Sequence, residues 1–266
     1  MAYAVAQISD LHVVRPGRQL AGVIDTAGFA RAAVEHLNHL DPQPDAILAT
    51  GDLIDGGSAT EYLHLKELVA PLRAPLWLMP GNHDDRSALR AAFPERVELA
   101  GDGFVQFVIE GPVRVVCLDS TRPGEEGGRL DARQLEWLDV TLAAAPTTPT
   151  IVALHHPPFD TGIGHMDDIG LDPAGASRLG AVVAAHSQIE RVQCGHLHRS
   201  IVCRWHGTIA ATAPSVAHAV ALDLRVAGQA AWNLEPPGYF LHWWTPEAGL
   251  VTHLLPIGDY PSTRYE

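Results

Sequence analysis

The side chains that could bind a metal ion or move a proton are concentrated in five short segments of the chain. Each segment contains His, Asp or Asn, and each directly follows a run of apolar residues. The segments are Asp10-Leu11-His12, Gly51-Asp52, Gly81-Asn82-His83-Asp84, His155-His156 and Gly195-His196-Leu197-His198. Carboxylate, amide and imidazole groups without thiolates suit zinc, manganese, iron or cobalt. The pattern therefore predicts a reactive metal site rather than a structural zinc knuckle.

The number of donors favours a pair of ions over a single ion. Two metals about 3.5–4 Å apart need a bridging carboxylate, and the five segments supply the seven or eight ligand atoms of such a centre. Glycines precede Asp52, Asn82 and His196, and they permit sharp turns that aim side chains at one point. Taken singly, D-x-H is commonly an exposed polar pair and G-D or G-N-H-D a turn, but here all five occur in order.

Apolar runs of strand length precede these segments and alternate with amphipathic stretches. Strands are predicted at residues 3–8, 46–50, 76–79, 150–154 and 191–194, and helices at residues 26–40, 60–72, 130–144 and 179–186. A hairpin of two apolar runs, residues 104–109 and 114–118, is predicted about Gly111-Pro112. A long loop is predicted at 160–175, and further strands at 201–205, 208–212, 239–244 and 251–255. This order predicts a layered α/β or α+β core, with the polar segments meeting at the carboxyl ends of the strands.

Composition limits the class of protein. The net charge of −13 disfavours a nucleic-acid partner, because an acidic protein repels polyanions. The three cysteines form no C-x-x-C pair, which predicts free thiols rather than a disulfide framework. Residues 1–10 predict a strand rather than a signal peptide, and no apolar run is long enough to span a bilayer. The expected location is the cytoplasm, with no membrane partner.

In this order the five segments resemble the blocks of the calcineurin-like metallophosphoesterases, D-x-H, G-D, G-N-H-D/E, H and G-H-x-H. Three wider segments are similar to those of class III cyclic-nucleotide phosphodiesterases and bacterial glycerophosphodiesterases. They are Ile8-Ser9-Asp10-Leu11-His12, Gly22-Val23-Ile24-Asp25 and Leu154-His155-His156-Pro157-Pro158-Phe159. The resemblance implies a four-layer α/β/β/α sandwich with a small C-terminal β-rich extension. Residues 1–205 would form the core with a dinuclear metal site, and residues 206–266 would complete it and contribute to the substrate pocket and an oligomer interface.

The resemblance also implies a ligand set for two divalent or trivalent ions, of iron, manganese, zinc or cobalt. Asp10, His12 and His198 would hold the first ion. Asn82, His156 and His196 would hold the second, and Asp52 would bridge the two. His156 is preferred to His155 because the family ligand directly precedes a small-residue turn, here Pro157-Pro158. His155 would then pack beside the site or support a ligand.

The implied chemistry needs no Ser or Cys nucleophile, since two ions generate a hydroxide from water near neutral pH and attack is in line. Asp52 is catalytic through its bridging position, and His83 would contact phosphate or protonate the leaving oxygen. Asn82, His83 and His218 are expected to contact substrate. Asp84 would either orient His83 or cap the turn, and the loop at 160–175 would either reach the pocket or remain solvated.

The expected function is hydrolysis of a small phosphodiester, a cyclic nucleotide or a glycerophosphodiester, by a metal-activated hydroxide. A phosphomonoesterase, nucleotidase or nuclease on the same scaffold is the alternative, and the net charge disfavours the nuclease. A non-catalytic scaffold that has lost its metals is disfavoured because no ligand position is substituted.

The C-terminal part is rich in tryptophan, with Trp232, Trp243 and Trp244 within residues 230–244. Consecutive aromatic residues on a strand face opposite sides, so one of Trp243 and Trp244 needs a partner outside the domain core. A strand sandwiched within its own domain is one interpretation, and a subunit interface is the other. The resemblance favours the interface and therefore a homodimer or higher homo-oligomer.

Overall fold

A computed structural model describes residues 2–225, 228–261 and 263–265 of the 266-residue chain. The strands are β1 (Tyr3–Ile8), β2 (Ala46–Thr50), β3 (Leu76–Met79), β4 (Phe107–Ile109), β5 (Arg114–Leu118), β6 (Thr150–Leu154), β7 (Ile189–Cys194), β8 (Ile201–Trp205), β9 (Thr208–Thr212), β10 (Ala219–Val220), β11 (Trp232–Asn233), β12 (Gly238–Thr245) and β13 (Gly249–Pro256). The helices are α1 (Thr26–Asn38), α2 (Ala59–Val69), α3 (Arg86–Ala92), α4 (Ala132–Ala143), α5 (Gly164–Asp167) and α6 (Pro173–Ala185), with a 3-10 turn at Val97–Leu99.

The strands form two mixed sheets and a short ribbon. The first sheet has the order β13-β12-β1-β2-β3, and its strands β1, β2 and β3 are parallel. The second has the order β4-β5-β6-β7-β9-β8, with β5, β6, β7 and β9 parallel. Strands β10 and β11 pair only with each other among the described residues. Each sheet therefore contains a block of adjacent parallel strands whose carboxyl ends open toward one side.

Alternate residues of the second sheet pack into different cores. On β5, Val115 and Cys117 join the core that contains the first sheet and helices α1 and α2. The intervening Val116 and Leu118 join a second core with α4 and α6. Because side chains alternate across a strand, both faces of this sheet are covered. The layers follow as helix, sheet, sheet, helix, which confirms the predicted α/β/β/α fold class.

The predicted loop at residues 160–175 is partly wrong. Helix α5 lies within it, and α6 begins at Pro173, earlier than predicted. The Asp172 side chain accepts a hydrogen bond from the Gly175 N–H, and Pro at the first helical position is already set for the helix. The sequence prediction treated these Asp, Pro and Gly residues as loop formers, whereas they begin a helix.

The chain after residue 205 contributes to both sheets. Strand β9 lies beside β7 in the second sheet, and β12 lies beside β1 in the first. The turn between residues 205 and 208 joins the antiparallel pair β8 and β9, so the predicted boundary falls inside a hairpin. All three cysteines are free, and none of the described helices is long and apolar enough to cross a bilayer.

Candidate metal centre and substrate cavity

The polar segments from both sheets meet where the parallel strands end. Strands β1, β2 and β3 lead into Asp10, Asp52 and Asn82, and β6 and β7 lead into His155 and His196. Backbone hydrogen bonds fix neighbouring segments, since the Asp10 N–H donates to Gly51 O at 3.1 Å. Across the sheets, the His196 N–H donates to the Asp10 carboxylate at 3.0 Å. The two sheets are therefore joined directly at the site.

The backbone of these segments is strained. Five of the predicted site residues have positive φ, which side chains other than glycine rarely adopt. They are Asp10 (54°), His12 (44°), Asp52 (49°), His196 (70°) and His198 (52°). Each such residue costs on the order of 1–3 kcal/mol and persists only where its surroundings hold it. Their concentration at one place points to a function that requires these side-chain directions.

One cluster of donors contains Asp10, His12, Asp52 and His198, all buried. The Nε2 atoms of His12 and His198 lie 3.1 Å apart, and the carboxylate of Asp52 lies 3.5 Å from His12 Nε2. The Oδ2 atom of Asp10 is buried without a hydrogen-bond partner. Two imidazole nitrogens turned toward each other beside an unpartnered carboxylate oxygen suit a bound cation better than a hydrogen-bond network.

A second cluster lies next to it, around Asn82. The Asn82 Oδ1 atom is 3.1 Å from His155 Nε2 and 3.1 Å from His196 Nδ1. The Oδ2 atom of Asp52 is 3.4 Å from His155 Nε2 and 3.5 Å from His12 Nε2. One carboxylate oxygen is therefore shared by both clusters, which is the position that a bridging ligand needs.

The sequence prediction chose His156 as the ligand that follows β6, and His155, His156 and His196 together bring possible ligand atoms within 4.8 Å of one another. Within this group, His155 is the residue that faces Asn82 and Asp52. The Nε2 atom of His155 faces Asn82 and Asp52, and its Nδ1–H donates to Thr50 O at 2.7 Å. Both ring nitrogens of His156 already have partners, Ser120 Oγ at 2.8 Å and Glu126 O at 3.0 Å. His156 packs beside His196, with ring centroids 4.8 Å apart.

Oxygen acceptors orient the imidazoles whose Nε2 atoms face the clusters. The Nδ1–H of His12 donates to the Asp55 carboxylate at 3.2 Å, and that of His198 donates to the His218 carbonyl oxygen at 3.0 Å. With Nδ1–H held in this way, Nε2 keeps its lone pair for a metal, as metal-bound histidines do. Asp55 is not among the residues predicted from the sequence, although its position three residues after Asp52 in the same turn could have indicated it.

The electrostatics of the clusters also suit cations. Burial lowers the pKa of His198 to about 3, so this imidazole is neutral and can act as a ligand. Burial also lowers the pKa of His155, but the carboxylates of Asp52 and Asp10 outweigh burial and raise that pKa to about 9. None of the described residues that line the cavity is Lys or Arg. Among the described residues, Asp10 and Asp52 pair only with histidines, so these two buried carboxylates lack a permanent positive partner, and bound metal ions would supply one.

Two glycines allow the segments to approach one another. Gly51 has a φ of 96°, and a Cβ there would overlap His155 Nδ1 and lie 2.8 Å from Gly81 Cα. A Cβ at Gly81 would overlap the Asp52 carboxylate. A side chain at either position would push the clusters apart, so the G-D and G-N-H-D patterns need their glycines for space.

His83 lies beside the first cluster, with its ring centroid 4.6 Å from that of His12. Its backbone N–H donates to Asp52 Oδ1 at 3.0 Å, and its Nδ1–H donates to Asp55 O at 2.8 Å. Its side chain is 38% exposed and lines the cavity. Asp84 instead accepts from Gly81 N–H at 2.8 Å and from the Tyr62 hydroxyl at 2.8 Å. Asp84 therefore caps the turn and does not orient His83.

A cavity of about 300 Å³ opens over the clusters. One wall, here called the polar wall, is formed by His12, Asp52, Asp55, Asn82, His83, Glu126, His196 and His198. The other, here called the apolar wall, is formed by Leu20, Ile24, Met166, Ile169, Val220 and Trp232. The loop after His12, the segment around α5 and the β10–β11 ribbon supply these side chains. Residues 160–175 thus reach the cavity through Met166 and Ile169.

His218 lies between the two walls. Its ring centroid is 4.5 Å from that of His198, 5.3 Å from that of His12 and 6.3 Å from that of Trp232. Burial lowers the pKa of His218 to about 3, and its Nδ1 atom is buried without a partner. The structure therefore places this predicted substrate contact in the cavity with a polar atom to offer.

Known proteins share both sequence and fold with the chain. Residues 3–200 match the family model for calcineurin-like phosphoesterases. A probable glycerophosphodiester phosphodiesterase of Arcobacter nitrofigilis is 37% identical over 257 residues, covering 96% of this chain and 94% of the relative. A probable cyclic nucleotide phosphodiesterase of Rhodopseudomonas palustris is 38% identical, covering 87% and 85% of the two chains. A cAMP/cGMP dual specificity phosphodiesterase of Mycobacterium tuberculosis is 33% identical, covering 85% and 71%.

Solved structures show the same architecture at low identity. A dimetal phosphatase from Danio rerio aligns with a TM-score of 0.61 and 15% identity, over 96% of this chain and 99% of that chain. A purple acid phosphatase from yellow lupin aligns with a TM-score of 0.68 and 13% identity, over 97% of this chain and 52% of that chain. At these identities the likeness establishes the fold alone.

Proposed function

This chain belongs to the calcineurin-like phosphoesterase family, and we propose that it is a metal-dependent phosphodiesterase that hydrolyses small phosphodiesters at a centre of two metal ions. The observation that carries this proposal is the position of Asp52. Its Oδ2 atom is 3.5 Å from His12 Nε2 in one donor cluster and 3.4 Å from His155 Nε2 in the other. A carboxylate between two sets of oxygen and nitrogen donors suits a pair of divalent ions.

The proposed ligands divide between the two clusters. Asp10, His12 and His198 would hold the first ion, and Asn82, His155 and His196 the second, with Asp52 shared. His155 replaces His156 because its Nε2 atom faces Asn82 and Asp52. Which of iron, manganese, zinc or cobalt occupies each position belongs to the proposal, since imidazole and carboxylate donors accept all four.

When bound, the two ions lower the pKa of a water molecule and neutralise charge on the phosphoryl oxygens. The side chains around them bind and orient the ester. The Asn82 Oδ1 atom faces the donor cluster, so its amide N–H groups are free to donate to a phosphoryl oxygen. His83 holds its Nδ1–H on Asp55 O, which leaves Nε2 for the substrate. In its protonated form, His83 donates a proton to the leaving oxygen.

The apolar wall bears on the choice of substrate. The relatives are named for glycerophosphodiesters and for cyclic nucleotides. Six apolar side chains offer contact area to a planar organic group, whereas the hydroxyls of a glycerol group would lose their bonds to water there. We therefore favour a diester that carries a nucleobase or another planar apolar group, which is a cyclic nucleotide among the two named classes.

Metal removal tests the proposed function. Exhaustive chelation should abolish hydrolysis of 3′,5′-cyclic AMP and of bis(p-nitrophenyl) phosphate, and manganese, cobalt or zinc should restore it. The assay should include p-nitrophenyl phosphate and a glycerophosphodiester, because the alternative functions predict a monoesterase or a glycerol preference. Full turnover by the metal-free protein would refute the proposal.

The proposal extends to location and assembly. We propose a cytoplasmic enzyme without nucleic-acid or membrane partners, which forms a homodimer or larger homo-oligomer through its C-terminal strands. Trp244 packs against the core that contains the first sheet and helices α1 and α2. Trp243 lies opposite Val251, which is 38% exposed on the edge strand β13. Light scattering at micromolar concentration should give a multiple of 28.6 kDa that is lost in Trp243→Glu. A monomeric wild type would reject the interface.

A further inference from the structure

Both proposed ions take ligands from both sheets. Asp10, His12, Asp52 and Asn82 follow strands of the first sheet, whereas His155, His196 and His198 follow strands of the second. Each donor cluster contains residues from the two groups. The separation of the sheets at this point therefore sets the size of both metal sites.

One buried side chain joins the sheets directly beneath the centre. The Gln7 side chain, on β1, donates from Nε2 to Thr50 Oγ1 at 3.1 Å and to Cys194 O at 3.1 Å. Thr50 ends β2 of the first sheet, and Cys194 ends β7 of the second. Gln7, Thr50 and Cys194 are all at most 1% exposed. A single amide group is thus bonded to the last residue of a strand in each sheet.

The bonded residues lie next to the ligands. Asp52 follows Thr50 by two residues, and His196 follows Cys194 by two residues. The Thr50 carbonyl oxygen also accepts the Nδ1–H of His155 at 2.7 Å. A displacement of Thr50 would therefore move Asp52 and His155, and a displacement of Cys194 would move His196. Together these are three of the four donors of the second cluster.

His242 holds the Gln7 amide in its orientation. The Gln7 Nε2 group donates twice, so Gln7 Oε1 is an acceptor and His242 Nε2, 3.1 Å away, must donate to it. The remaining His242 Nδ1 then accepts from Thr252 Oγ1 at 2.9 Å. His242 is 2% exposed. The chain of bonds runs from β13 through β12 and β1 to both sheets and leaves none of these groups unpaired.

We infer that Gln7, oriented by His242, is a positioning residue that fixes the separation of the two sheets beneath the centre and thereby sets its affinity for two metal ions. The inference rests on the metal assignment proposed above. It concerns residues that make no contact with substrate, since neither Gln7 nor His242 lines the cavity. Their effect reaches the metals through Thr50 and Cys194.

The test measures metal binding rather than turnover. Gln7→Leu keeps the side chain's size but leaves Thr50 and His242 without their bonds to the amide. Metal-free protein titrated with Mn²⁺, with the free ion followed by electron paramagnetic resonance, should bind the weaker of two ions about 10- to 100-fold less tightly than wild type. The signal of the coupled manganese pair should weaken in parallel.

Gln193→Leu is the matched control. Gln193 lies one residue before Cys194, is also 1% exposed, and its Oε1 atom has no partner. Placing Leu among buried polar groups could lower the free energy of unfolding in both variants. Urea unfolding of the metal-free proteins measures that loss of stability. Gln193→Leu should bind Mn²⁺ within about twofold of wild type.

A second pair of variants protects the test if Gln7→Leu fails to fold. His242→Gln can still donate to Gln7 Oε1 and should bind Mn²⁺ nearly as wild type does, whereas His242→Leu cannot and should bind more weakly. Unchanged Mn²⁺ affinity in Gln7→Leu would overturn this inference but not the metal assignment. If Gln7→Leu does not fold, unchanged affinity in His242→Leu would have the same meaning. Equal losses in Gln7→Leu and Gln193→Leu would do the same. A wild type that binds fewer than two ions would refute the metal assignment and with it both proposals.

Discussion

The two walls of the cavity are built in different ways. The metal donors of the polar wall follow the parallel strands, and all except the half-buried Asn82 are buried. Hydrogen bonds orient the imidazoles of the clusters. The apolar wall comes from the loop after His12, the segment around the one-turn helix α5 and the ribbon of the two short strands β10 and β11. Trp232 on that ribbon is 44% exposed. Strained φ angles occur at His12, Asp52 and His196 in the polar wall.

The difference follows from what each wall must do. A metal centre needs donor atoms placed to within a fraction of an ångström, which requires rigid strands and oriented side chains. An organic group needs only a surface of suitable shape and polarity, which loops can provide and vary without disturbing the chemistry. Substitutions in the polar wall should therefore abolish metal binding and turnover, whereas those in the apolar wall should change the preference among substrates.

The largest effect is expected at Asp52. Asp52→Ala removes the donor that both clusters share, so it should cost more than Asp10→Ala, which removes a donor from one. We expect Asp52→Ala to lose several kcal/mol of transition-state stabilisation, which lowers the rate about a thousandfold or more. Metal analysis of the purified proteins checks the cause. Equal metal content in wild type and Asp52→Ala would contradict the shared position.

The next effect separates two adjacent histidines. His155→Ala should lose the second ion and at least about a hundredfold in rate, because Nε2 of His155 faces Asn82 and Asp52. His156→Ala should keep two ions and lose less than about tenfold, since its ring nitrogens are bonded to Ser120 and Glu126. The opposite ranking of metal content would support His156 as the ligand, as predicted from the sequence.

His155 and His156 also show how much of the fold and of the site could be predicted from the sequence. The bounds of β1, β2, β3, β5 and β6 were predicted residue for residue, because each is an apolar run with a clear end. The five polar segments were predicted to meet because parallel strands end at one edge. The choice between His155 and His156 depends instead on backbone dihedrals in the turn after β6. Spacing alone does not determine these. The rule of the small-residue turn selects His156, whereas His155 is the ring that faces Asn82 and Asp52.

The apolar wall was largely beyond sequence analysis for a different reason. Leu20, Ile24 and Val220 look like ordinary apolar residues, and nothing in their local pattern distinguishes a cavity lining from a core. Trp232 was grouped with Trp243 and Trp244 as a possible interface, but it lines the cavity instead. These residues come together only through the tertiary fold, from segments up to about 200 residues apart in the chain.

A smaller effect is expected at the border of the two walls. His83→Ala should retain both ions and lose roughly ten- to a thousandfold in rate, as removal of one acid or oxyanion donor does. The defect should be larger for alkoxide leaving groups than for p-nitrophenolate, because a good leaving group needs no proton. Equal defects would indicate that His83 positions phosphate instead, and loss of metal would exclude both roles.

The smallest effect is expected at Trp232, and it should appear as a change of preference. Bis(p-nitrophenyl) phosphate and methyl p-nitrophenyl phosphate share a leaving group and differ in the group that remains, so their ratio of kcat/KM measures contact with that group. Trp232→Ala should lower the ratio about tenfold, as expected when a stacking contact worth about 1–3 kcal/mol is lost. Metal content should not change, because the indole belongs to the apolar wall. Leu234→Ala is the control, since Leu234 is 57% exposed on the same segment but does not line the cavity. An unchanged ratio in Trp232→Ala, with both diesters still hydrolysed, would show that the apolar wall does not select the substrate.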